Sequence, residues 1–183
     1  MLIIFTVYVP QNSGLERFNY FLLREFYNQP VRFVKERGEI ISEIVEELGG
    51  YGWTGNDLFS DYRASGKGDS LRILKTISWP EEIKPRLCLL GPLEILPERQ
   101  LFSDRLYVVV ADKYQNLARR YFETKRWSPG VSFLRGQVDR QIRLGKADLA
   151  IDIVYTGKTI LEERLAIYDI LFDRSGFILL TKD

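Results

Sequence analysis

The residues best placed to do chemistry lie together in Ala147-Asp148-Leu149-Ala150-Ile151-Asp152-Ile153-Val154-Tyr155-Thr156-Gly157-Lys158-Thr159. An apolar run of strand character delivers a Thr-Gly-x-Thr turn to a helical segment that opens Ile160-Leu161-Glu162-Glu163. Unpaired backbone N–H groups at such a junction, with the positive end of the helix dipole, make an anion site. Gly157 lets a phosphate approach the backbone, the hydroxyls of Thr156 and Thr159 add donors, and Lys158 adds charge. Asp152, just ahead of the turn, is placed to accept hydrogen bonds from ribose hydroxyls. Read locally, the same tetrapeptide is equally an ordinary helix cap.

What the chain lacks narrows the chemistry further. Its 183 residues contain no histidine and one cysteine, Cys88, so Ser-His and Cys-His nucleophiles, zinc sites and an intramolecular disulfide are all set aside. Lys plus Arg number 26 against 25 Asp plus Glu, which leaves no excess charge to draw the chain onto nucleic acid or an anionic membrane. Any anion must be gripped locally. The apolar opening at 1–9 is about half a membrane span and has no basic residues before it, so it reads as a buried strand. A soluble, cytoplasmic protein is expected.

The elements that must hold the turn alternate short β-branched runs with stretches of helical period, the pattern of an α/β protein. Leu15, Phe18, Phe21, Leu22 and Phe26 predict a helix over 15–27, more suited to core or subunit interface than to base stacking. Ile40, Ile41, Ile44, Val45 and Leu48 predict a second over 39–48, stopped by Gly49-Gly50. Strands are predicted at 31–34, 71–77, 86–90, 105–111, 131–134 and 149–154, and helices at 116–124 and 138–145. Residues 60–70 read as an exposed loop, in which Ser65-Gly66-Lys67-Gly68-Asp69 lacks the Walker spacing of a phosphate loop. Gly91-Pro92 reads as a crossing point, and 165–172 and 176–180 as strands that return. The domain reading is therefore a first α/β lobe at 1–92 plus 165–183, and a second at 93–164 that carries the turn.

Four segments in order resemble the ATP phosphoribosyltransferase family. Ala147 to Leu165 is similar to its Ala-Asp-(apolar)-Ile-x-Asp-(Leu/Ile)-Val-x-Thr-Gly-x-Thr-Leu followed by x-x-Asn-Gly-Leu. Lys113-Tyr114-Gln115-Asn116-Leu117-Ala118-Arg119-Arg120-Tyr121-Phe122 resembles Lys-Tyr-Pro-Asn-Leu-Thr-Arg-Arg-Tyr-Phe. Gly52-Trp53-Thr54-Gly55-Asn56-Asp57 resembles Gly-Ile-Thr-Gly-x-Asp, and Pro85-Arg86-Leu87-Cys88-Leu89 stands where the family has Cys-Arg-Leu-Val. The resemblance implies two α/β lobes of the type II periplasmic-binding-protein kind with a cleft between them. It implies transfer of the phosphoribosyl group of phosphoribosyl pyrophosphate to N1 of ATP, the first step of histidine biosynthesis, with Mg2+ on the pyrophosphate and no dedicated protein ligands for it.

Carried onto this chain, the resemblance gives the 5′-phosphate to Thr156, Gly157, Lys158 and Thr159, and the ribose hydroxyls to Asp152 with Asp148. Asp139, in Gly136-Gln137-Val138-Asp139 where the family has Gly-Ser-Val-Glu, is a candidate for nucleotide or metal. So are Trp53, as a base-stacking ring or a hydrophobic plug, and Gly14. No residue is assigned as catalytic, and Lys113, Arg119 and Arg120 read as a solvated helix face. Departures bear on activity. The family's Lys-Gly-Arg-Leu is Gln11-Asn12-Ser13-Gly14-Leu15 here, Tyr155 replaces small or acidic residues, and Glu163-Arg164 replaces Asn-Gly. The alternative reading is a catalytically lapsed paralogue that binds a phosphorylated or anionic metabolite. The resemblance is to the short form without a regulatory C-terminal domain. With it come expectations of a histidyl-tRNA-synthetase-like regulatory partner and a homodimer or larger assembly.

Overall fold

The computed structural model describes residues 4–11, 18, 20–79, 84–94, 101–155, 157–173 and 175–183, with Leu23 and Thr159 through their backbone alone. Two units result: residues 1–78 with 176–183, and residues 79–175. The first holds β1 (Phe5–Pro10), α1 (Tyr20–Glu25), β2 (Val31–Glu36), α2 (Ile41–Leu48), β3 (Tyr51–Gly55), α3 (Asn56–Ala64), β4 (Leu71–Ser78) and, from the far end of the chain, β10 (Gly176–Lys182). The second holds β5 (Arg86–Pro92), β6 (Tyr107–Ala111), α4 (Gln115–Lys125), β7 (Gly130–Leu134), α5 (Arg140–Arg143), β8 (Leu149–Val154), α6 (Lys158–Glu162) and β9 (Leu165–Phe172).

The first sheet runs β2-β1-β3-β10-β4, with β1 parallel to β2 and β3 and with β10 antiparallel to its neighbours. Its apolar residues pack as their periods predict. Ile41 and Val45, one turn apart on α2, meet Ile178 and Leu180 of β10 and Phe59 of α3. Gly49, at φ +77°, ends α2 by donating its amide to the Val45 carbonyl at 2.9 Å. Glu46 pins the 65–70 connection: its carboxylate accepts from Ser70 Oγ at 2.8 Å, the Gly68 amide at 3.2 Å and the Tyr62 hydroxyl. Those bonds, with the Ser70 amide, hold the Glu46 carboxyl below the usual range, so the Gly68 and Ser70 amides of this glycine-rich connection are answered from within the chain.

The second sheet runs β7-β6-β8-β5-β9, with β6 parallel to β7 and β8, and β5 antiparallel to β8 and β9. Val108, Val110, Leu149, Ala150 and Ile151 are fully buried at its centre. Burial pushes the thiol of Cys88, in β5, up to about 11, which makes it an inert core group.

The structure corrects three expectations. β5 and β9, assigned by sequence to the first lobe, belong to the second sheet, so only β10 returns and the boundaries fall at 78/79 and 175/176. Leu87, Cys88 and Leu89 are wholly buried between β8 and β9, and a continuous apolar run of this kind fits either sheet until its partners are known. Gly91 is thus a strand residue facing the Tyr168 ring, which occupies the space a Cβ would need. Residues 56–64 form α3, where 60–70 reads as loop: Phe59, Asp57 and Asp61 are buried despite a polar composition. The helix predicted over 138–145 is a single turn at 140–143. Of the helix predicted over 15–27, the described residues are helical over α1 and in a turn at 18, 26 and 27. Among the described residues no helix is long and apolar enough to cross a membrane.

Candidate functional site

A cavity of about 260 Å3 opens in the second unit, lined by Leu90, Lys113, Asp139, Asp152, Ile153, Val154, Tyr155, Gly157 and Ile160. It lies where β6 and β8 end. Lys113 sits in the 3-10 turn at Asp112–Tyr114 that follows β6, and Val154 closes β8. The chain leaves β6 for β7 on one side and leaves β8 for β9 on the other, and carboxyl ends at such a reversal leave a crevice for ligands.

Asp152 is the electrostatic centre of this cavity. Its Oδ1 accepts the Ile153 amide at 2.7 Å, and the protein around the half-buried side chain pushes its carboxyl above the ordinary aspartate value. Lys113 and the amide pull the other way, while the Asp139 carboxylate adds to the rise. Asp139 caps α5 by accepting the Arg140 amide at 2.9 Å. One ammonium and two carboxylates thus face a single cavity.

The turn after β8 forms the rest of the wall. Gly157 has φ +75° and no atom within 4 Å of where a Cβ would stand, so its surface is open to a ligand. Its carbonyl accepts the Leu161 amide at 3.1 Å, which starts α6. That helix is five residues long, so attraction for an anion rests on the turn's own amides more than on an accumulated dipole. Lys158 is exposed and ion-paired with Glu162 at 3.7 Å, outside the cavity lining. Thr156 and Gly14 lie outside the described residues, as does the Thr159 side chain.

Two predicted site residues have other tasks. Asp148 sits at the opposite end of β8, roughly 20 Å along the strand from the turn, where Oδ2 accepts the Tyr107 amide at 2.7 Å and clamps the start of β6. It is no part of the cavity. Trp53 is 1% exposed in the first unit, stacked on Phe177 with centroids 5.1 Å apart and planes at 10°. It is the hydrophobic plug, locked too deep to stack on a base.

Lys113 is the residue that sequence reasoning missed, dismissed with Arg119 and Arg120 as solvated charge. Arg119 does lie outward, over the Phe133 ring at 5.4 Å. The signal that separates Lys113 is its place two residues beyond the buried strand Val108–Ala111, at the carboxyl end of a parallel strand, which is where ligand groups collect.

The HisG family profile, ATP phosphoribosyltransferase, matches residues 37–183. An ATP phosphoribosyltransferase of Symbiobacterium thermophilum is 36% identical over 90 residues, 49% of this chain and 40% of that protein. One of Leptospira biflexa is 34% identical over 100 residues, 54% of this chain and 48% of that protein. Both matches span less than half of the relative's own length. Among solved structures, the ATP phosphoribosyl transferase (HisG:HisZ) complex from Thermotoga maritima aligns over 97% of this chain and 87% of its own, with TM-score 0.76 at 20% identity. The periplasmic aliphatic sulphonate binding protein SsuA from Escherichia coli aligns over 98% and 65%, with TM-score 0.60 at 15% identity. These likenesses show the fold, two α/β lobes of the type II periplasmic-binding-protein kind. With the profile covering four fifths of the sequence, including the strand, turn and helix that build the cavity, the chain belongs to the ATP phosphoribosyltransferase family.

Proposed function

We propose that the cavity at the ends of β6 and β8 binds phosphoribosyl pyrophosphate and that the protein transfers its phosphoribosyl group to N1 of ATP, opening histidine biosynthesis. The observation that carries this reading is the meeting of Asp152, Asp139, Lys113 and the open Gly157 turn around one cavity. The turn's amides and Thr156 hold the 5′-phosphate. Asp152, poorly hydrated, is stabilised when ribose hydroxyls donate to it, which fixes the sugar with C1 presented to the acceptor. Lys113 faces the negative charge of the substrate and favours the charged form of Asp152 against the burial that opposes it.

As N1 of ATP bonds to C1, the C1–O bond to pyrophosphate breaks and the ribose passes through a cation-like state. The chain's task is then positioning and charge placement, which suits a sequence without histidine. Mg2+ would neutralise the departing pyrophosphate, and two carboxylates in one cavity suit a cation held mainly through phosphate oxygens and water. A histidyl-tRNA-synthetase-like partner is proposed from the HisG:HisZ complex, and assembly into a homodimer or larger from the family resemblance alone.

A binding protein for an anionic metabolite is the second reading. It is favoured by the profile starting at residue 37, beyond Gln11-Asn12-Ser13-Gly14, where the family's basic pair is missing. One experiment separates the two. Thermal unfolding with magnesium phosphoribosyl pyrophosphate at a hundred times its dissociation constant should add about 2.7 kcal/mol, and ATP is then added to read pyrophosphate release. Stabilisation with release, with or without the partner present, supports the transferase. Stabilisation without release under either condition supports the binding protein, and no stabilisation overturns the transferase.

A further inference from the structure

Glu163 stands where the family pattern has Asn, and its partner is on another element. Its side chain, 17% exposed, meets Nε of Arg143 at 2.5 Å. The contact is an ion pair rather than a straight hydrogen bond, and the buried Oε2 has no hydrogen-bond partner among the described residues. A half-desolvated carboxylate answered by one guanidinium is costly to leave alone, so the two side chains hold each other in place.

What they join is informative. Arg143 ends α5, whose N-cap Asp139 lines the cavity. Glu163 directly follows α6, and Gly157, just before that helix, and Ile160 within it line the same cavity. The helices have four and five residues, too few to be stable by helix formation alone. They also rest on different beds, α5 against β5 and β8 and α6 against β9. Each has its cavity residue at one end and its half of the ion pair at the other, with Arg143 four residues after Asp139 and Glu163 six after Gly157.

We propose that Arg143 and Glu163 are positioning residues: their ion pair latches α5 to α6 and thereby sets the gap between Asp139 and the Gly157 turn. The consequence for phosphoribosyl pyrophosphate rests on the function proposed above, but the latch itself does not. It sets how far the carboxylate that faces the nucleotide or metal stands from the amides that hold the phosphate.

The test uses the full chain labelled with 15N, first without ligand. R143Q should move the Gly157 amide resonance, on the helix that was not altered, and E163Q should move the amides of Asp139 and Arg140. The charge-reversed double variant R143E/E163R should return all three toward their native positions. Shifts confined to the altered helix, or a double variant that restores nothing, overturn the latch. If either single variant fails to fold, the double variant decides by the same resonances: native positions support the latch and displaced ones overturn it. Affinity for magnesium phosphoribosyl pyrophosphate is measured next, with a loss of about tenfold expected for each single variant and recovery to within twofold in the double. Equal affinity in all four chains overturns the positioning role. A native chain that binds nothing sinks the proposed function, while the resonances still decide the latch.

Discussion

Thr54-Gly55-Asn56-Asp57 runs from the end of β3 into α3 in the first unit, and Thr156-Gly157-Lys158-Thr159 follows β8 in the second, at matching places in two sheets of one plan. The order β2-β1-β3-β10-β4 maps onto β7-β6-β8-β5-β9, with three parallel strands, then one antiparallel strand and an edge. The turns have opposite fates. In the first, Gly55 has φ −68°, Oδ1 of the buried Asp57 fills the space a Cβ at 55 would take, and Oγ1 of Thr54 donates to the Gly38 carbonyl at 2.8 Å. A nine-residue helix follows. In the second, Gly157 has φ +75°, nothing stands against it, and the helix is five residues long. The same motif is thus a self-filled cap in one unit and an open cradle in the other. What separates them is the fourth residue, a carboxylate in one and a hydroxyl in the other, and the neighbours each turn meets.

That contrast can be broken most sharply at Gly157. Gly157→Val should weaken magnesium phosphoribosyl pyrophosphate by about 100-fold, from two charge-assisted hydrogen bonds at about 1.5 kcal/mol each. Titration calorimetry with unchanged affinity would sink the open-cradle assignment.

Asp152→Asn should weaken the same ligand about tenfold and yet stabilise the protein at neutral pH. The sign follows from burial raising the folded pKa of Asp152 above its ordinary 3.8. The folded state then holds the proton more tightly than the unfolded state. A stability penalty accumulates as pH rises from 3.8 through the raised folded value, and stays constant above it. Denaturant midpoints across this range should therefore fall less steeply in the variant, and an identical pH profile would refute the desolvated-carboxylate description.

In the self-filled turn the balance is reversed. Asp57→Asn should cost about 1 kcal/mol of stability, since a partly buried carboxylate is lost from the first turn of a helix, and it should leave ligand affinity unchanged. A weakened affinity in calorimetry would show that this turn also serves the ligand. The smallest effect is expected at Arg164, which has φ +55° where the family pattern has Gly. Arg164→Gly should relieve about 1 kcal/mol of backbone strain and raise Tm by about 2–4 °C in calorimetry.

By itself the sequence determined the α/β class, the strand at 149–154 and the turn it delivers, because alternation and turn chemistry are local properties of the chain. It also singled out Asp152 and Asp139, both of which line the cavity. Only tertiary structure decided which sheet β5 and β9 enter, since β5, apolar and buried on both faces, carries no mark of its partners, and β9 pairs with it as an edge strand. Only tertiary structure separated Asp148, clamped to Tyr107, from Asp152, and buried Trp53 against Phe177. It likewise brought Lys113, 39 residues away in sequence, to the edge of the Asp152 cavity. Electrostatic coupling acts through space, so the charges that tune a site become visible when parallel strands bring their ends together.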